Sequence, residues 1–153
     1  MVWAPTDIWA VDHLISQSDA PHLTCEYDNL VLSCQFCNQR KSSHRVPDPC
    51  KVAYGACLTG NSDGTVTPHG RHGNRLVDTL RLNHPRMLGE RRKWLTIIET
   101  LRKHAPSEYE TLMGYPKELH DLNKTKAPQN RRPQGLSESC LAKLKRNELP
   151  KVY

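Results

Sequence analysis

Large aromatic side chains are scarce in this chain: they make up 6% of its 153 residues, and there is a single Phe. Few rings mean a modest core, and 11 Pro with a mean hydropathy of −0.70 point the same way, so the composition suits one domain, or one domain with a tail. No run approaches the ~18 apolar residues that a membrane-spanning helix needs. Met1 to Pro5 carries neither a basic start nor a sustained apolar stretch, so no export signal is read there. Cysteine, at 6, is too sparse for a disulfide scaffold, and a Cys-x-x-Cys in an intracellular protein points to metal or redox chemistry. A cytoplasmic protein is expected. There is no internal repeat.

Acidic residues are outnumbered by basic ones only in the second half. Residues 1–75 hold 6 Lys/Arg against 7 Asp/Glu, whereas residues 76–153 hold 16 against 9. A cation-gathering front and a basic rear suit a polyanionic partner, although basic residues also simply solvate helix faces.

What is present is concentrated between Val11 and Lys41. Asp12-His13 ends a short β-prone run, Asn29-Leu30 follows, and Cys34, Cys37 and Asn38 form a Cys-x-x-Cys-Asn. Asp12 is a hard oxygen donor, Asn38 offers a carbonyl oxygen, and His13 can take up a proton near neutral pH. Those residue types suit a divalent metal held beside a histidine that activates water. Short β-prone apolar runs and turn chemistry predict a strand at Ile8 to Val11, a loop from Ser16 to Tyr27, a returning strand at Leu30 to Leu32 and a short helix from Gln35 to Ser43.

Farther on, β-prone pieces at Tyr54 to Leu58 and Thr65 to Thr67 flank a hairpin turn at Gly60 to Gly64. That turn also fits G-x-S-x-G, but no helix follows to make a nucleophile elbow. His69-Gly70-Arg71-His72 reads as an exposed Gly-rich loop. Leu76, Val77 and Leu80 then fall at helical spacing. Asn83 offers an N-cap with Pro85 in the first turn of a longer helix, whose Met87, Trp94, Ile98 and Leu101 share one face. Glu108 to Met113 and Leu141 to Leu144 read as short helices, and 116–136 as a flexible linker. Asn123-Lys124-Thr125 is a glycosylation sequon only in a secreted protein.

The order Asp-His, Asn-Leu, Cys-x-x-Cys-Asn-x-x-Lys resembles the HNH endonucleases, with Asn38 where the last letter of that family name stands. The likeness continues through Pro47 to Cys50 and Leu76 to Asn83. It implies an α+β fold: a small ββα-metal motif, a mixed and mainly helical extension, and a flexible C-terminal tail. The segments expected are 1–46 for the motif, 47–115 for a hairpin-plus-helices extension, and 116–153 for a basic tail.

The same resemblance implies hydrolysis of DNA phosphodiester bonds, leaving 5′-phosphate and 3′-hydroxyl ends, with double-stranded DNA as the partner. His13 would be the general base, with Asn29 bridging backbone groups so that its ring is held. Asp12 and Asn38 would hold Mg²⁺, or Mn²⁺ in its place. Lys41, Arg92 and Lys93 are the expected nucleic-acid contacts. Zinc-stabilised members carry a second Cys-x-x-Cys before the Asp-His. Only Cys34 and Cys37 stand here, so structural Zn²⁺ at that pair is weighed against two reduced, buried thiols. The alternatives in function are a non-catalytic nucleic-acid-binding module and an incomplete fragment retaining the fold.

Overall fold

The computed structural model describes residues 9–124 and 135–152. The described chain divides into two units, 1–93 and 94–153, and the division falls inside one long helix.

In the first unit, strands β1 (Trp9–His13) and β2 (Leu30–Cys34) pair antiparallel, with Val11 opposite Leu32 and His13 opposite Leu30. Helix α1 (Gln35–Lys41) follows β2 without a loop. The expected strand–loop–strand–helix order is present, though Ile8 lies outside the described residues. Cys34 starts α1, its Sγ accepting the Cys37 N–H at 3.4 Å. The helix ends at Ser42, whose φ of 48° breaks the helical path. Side chains alternate along β1, so Asp12 faces α1 and is buried, while Val11 on the other side is 60% exposed.

Beyond α1 the chain departs from the expectation at three places. Tyr54 to Cys57 is a one-turn helix, α2 (Tyr54–Cys57), and only then does β3 (Leu58–Gly60) begin. The Tyr54 hydroxyl donates to the Pro47 carbonyl at 2.6 Å, fixing the turn in a helix-compatible place that β propensity cannot foresee. The hairpin to β4 (Val66–Pro68) forms as expected, closed by Asp63, whose carboxylate accepts from the Thr65 N–H and hydroxyl and is held below the usual carboxylate range by those bonds.

The second departure is at His69 to His72. The Gly-rich tetrapeptide is exposed as expected, but it is not a loop: α3 (Gly70–Leu80) starts inside it. Gly70 enters at φ +65°, and Gly73 lets the helix approach α2 and β4, since a Cβ there would sit 2.2 Å from the Cys57 carbonyl oxygen. Helix α4 (Pro85–His104) begins where Pro85 foretold, but Asn83 does not cap it. The Asn83 carboxamide instead bonds the Val66 N–H and carbonyl, and the His84 ring takes the Arg86 N–H.

The core is small. Cys34, Phe36, Cys37 and Met87 form one buried group, and Cys57, Leu76 and Leu82 another; Leu80 packs against both. Leu76 and Met87 are wholly buried, so truncating either to Ala would cost about 2–5 kcal/mol.

The second unit holds the end of α4, then α5 (Pro106–Met113) and α6 (Cys140–Lys145), with a bridge between Gly114 and Val152. Trp94, Ile98 and Leu101 are half-buried, in contrast to fully buried Met87. Part of the linker expected at 116–136 lies outside the described residues, and Leu122–Lys124 forms a 3₁₀ turn. No helix among the described residues is long and apolar enough to cross a membrane.

Candidate active site

Asn29 organises the long loop between β1 and β2. Its side-chain oxygen accepts the Ile15 N–H at 2.8 Å, and its amide donates to the Ile15 and Leu23 carbonyls at 3.0 and 3.2 Å. Its own backbone carbonyl takes the Leu14 N–H. The side chain is buried, and every polar group it carries is engaged. One residue therefore ties the start of the loop to its far side.

That far side carries the group that orients His13. The His13 ring nitrogen Nε2 lies 3.0 Å from the Thr24 carbonyl, next to the Leu23 carbonyl that Asn29 holds. A carbonyl only accepts, so Nε2 carries the proton and Nδ1 is left as the basic nitrogen. The Gln17 amide nitrogen, 3.4 Å from the same Nε2, is then a neighbour rather than its donor. Thr24 and Gln17 carry no sequence signal for this task, since a backbone carbonyl can come from any residue.

Asp12 is 6% exposed and is met by Lys41, itself 2% exposed, whose ammonium lies 3.0 Å from Asp12 Oδ1. The same nitrogen donates to the His13 and Ser42 carbonyls. Three donors meet three acceptors, which is what allows an ammonium to be buried. Lys41 was expected to contact phosphate. Its burial assigns it instead to the underside of the Asp-His pair.

Asp12 Oδ2 has no protein partner among the described residues, and neither does the half-buried Asn38 carboxamide. Asn38 and Lys41, three apart on α1, share one flank of the helix, the flank that Lys41 applies to Asp12. Two unengaged oxygen donors on that side fit a hydrated divalent cation in donor type. Among the described residues, no group of three or more His, Cys, Asp or Glu could hold a metal ion, so such a cation would rest on few protein ligands.

Cys34 and Cys37 are buried thiols in the core beside Phe36 and Met87. Burial, and then the adjacent Cys34, push the Cys37 thiol up to about 12. Cys57 is buried in the other group, and Cys25 and Cys50 are exposed. Arg92 lies away from this site on α4, where its Nε donates to the Asp63 carbonyl in the hairpin turn. Lys93 is exposed.

The family model described as HNH endonuclease matches residues 3–44, the span that contains β1, the Asn29 loop, β2 and α1. Residues 3–44 are thus similar to the HNH endonuclease family. No curated protein and no solved structure matches the chain. The HNH match stands at the N-terminal side of a mixed α+β chain, and at a coarse level it suggests a nuclease-type function acting on nucleic acid.

Proposed function

We propose that the protein is a metal-dependent endonuclease that hydrolyses phosphodiester bonds of double-stranded DNA. The observation that carries this reading is the tautomer lock on His13: Nε2 donates to the Thr24 carbonyl, so Nδ1 is the nitrogen that can accept a proton. The Thr24 carbonyl that sets this tautomer sits next to the Leu23 carbonyl held by the buried Asn29, so the loop brace also positions the ring.

In the proposed reaction a water oxygen bonds to phosphorus as its proton passes to His13 Nδ1, and the bond from phosphorus to the 3′-oxygen breaks. The leaving oxygen takes a proton from solvent. Asn29 positions the Leu23–Thr24 stretch, and hence the imidazole. Asp12 and Asn38 would hold Mg²⁺, or Mn²⁺ in its place. When bound, that ion would neutralise charge on the phosphate and the leaving oxygen. Lys41 supplies the counter-charge beside the Asp12 carboxylate inside the fold. Lys93 and Arg92 would add phosphate contacts from α4.

Nicking of supercoiled plasmid by the purified protein tests this reading. Conversion to open circles with Mg²⁺ and none with EDTA is expected. Binding without any nicking, with Mg²⁺ or Mn²⁺, would favour the non-catalytic module instead.

A further inference from the structure

Phe36, the only Phe in the chain, is 8% exposed and is flanked by two guanidinium groups. Arg40 lies 5.1 Å and Arg86 5.8 Å from the ring centroid, and the His84 ring is tilted against it at 5.6 Å. Attraction to the face of the ring holds each cation, but it does not neutralise them.

Neither Arg40 nor Arg86 pairs with a carboxylate among the described residues, and Arg86 is exposed. Three arginines on later elements are engaged elsewhere. Arg91 donates to the Gly64 and Leu82 carbonyls, Arg75 to the Arg45 carbonyl, and Arg102 to Glu99. Two like charges gathered on one ring, with no acid beside them, are relieved by an anion from outside.

Their position agrees with that need. Phe36 and Arg40, four apart, lie on one flank of α1, while Asn38 and Lys41 lie on the other. Exposed Gln35 and Gln39 occupy the outward face between the flanks and make no hydrogen bond among the described residues.

We propose that Arg40 and Arg86, braced by Phe36, form a phosphate clamp for the backbone of a nucleic-acid duplex. The duplex would lie along the outward face of α1, with the Asn38 flank at the reacting phosphate and the clamp on a second one. The identity of the polyanion rests on the nuclease reading above. Guanidinium groups suit the task because their planar fork matches phosphate oxygens.

The test uses the full chain, a labelled duplex oligonucleotide and EDTA, with binding followed by anisotropy across a salt series. Each phosphate contact contributes about 0.9 to the slope of log K against log salt. Arg86→Gln should lower the slope by about one unit. Arg40→Gln with Arg86→Gln should lower it by about two, and the double Lys replacement should restore most of it. Arg102→Gln, whose cation is already paired, should leave it unchanged. Because Arg86 is exposed, its single variant keeps the test valid even if the double variant unfolds. Slopes for Arg86→Gln no lower than for Arg102→Gln would overturn the clamp. Plasmid nicking run in parallel separates the two claims: nicking with an unchanged slope removes the clamp alone, and a lowered slope without nicking removes the nuclease reading alone.

Discussion

The Lys41 ammonium lies 3.0 Å from Asp12 Oδ1, with both side chains withdrawn from solvent. A proposed metal-binding carboxylate is thus already matched by a cation from its own fold. Removing one partner of a buried pair costs on the order of 3–5 kcal/mol, because the other charge is left uncompensated.

Lys41→Met should therefore lower the melting temperature in EDTA, since Asp12 loses its only counter-charge among the described residues. Mg²⁺ should then stabilise Lys41→Met more than it stabilises the wild type, because a ligand that binds the folded state raises its stability. Differential scanning fluorimetry with and without Mg²⁺ measures both. An equal Mg²⁺ increment in the two proteins would show that the ion does not meet Asp12.

Asn29→Ala should loosen the loop that orients His13. The change leaves the Ile15 N–H and the Ile15 and Leu23 carbonyls without their partner, at about 1–3 kcal/mol for each buried group left unsatisfied. Both stability and nicking should fall, and hydrogen exchange of the Ile15 amide should quicken. An unchanged exchange rate at Ile15 would contradict the bridge.

The thiols should divide by burial. Cys25 and Cys50 are exposed, while Cys34, Cys37 and Cys57 are buried. In the native protein at pH 8, iodoacetamide followed by mass mapping should label the first two and spare the other three. The Cys37 thiol, raised to about 12, stays protonated well above its ordinary range, so moving to pH 9 should still leave Cys37 unlabelled. Labelling of Cys37 as fast as Cys25 would contradict its place in the core.

The ββα order was readable because its signals are local: a β-prone apolar run before Asp12, turn residues through the loop, and a Cys-x-x-Cys that opens a helix. The Gly60 to Gly64 turn was readable for the same reason. Tyr54 to Cys57 was not, since β-prone residues there form a helical turn held by the distant Pro47 carbonyl. His69 to His72 looked like a loop because glycine usually marks one, yet Gly73 is there for close packing against Cys57. Asn83 had a good capping position and a better partner in Val66. Lys41 shows the limit most clearly. Its charge is visible in the sequence, but its partner lies 29 residues away and its burial is decided by tertiary packing.

The central claim is that His13 is the base of a DNA-cutting site. The most direct measurement compares plasmid nicking by wild type and His13→Ala at saturating Mg²⁺, with DNA binding followed in EDTA. Nicking should fall by on the order of 10²–10⁴-fold, while affinity for the duplex stays close to that of the wild type. Near wild-type nicking by His13→Ala would contradict the account.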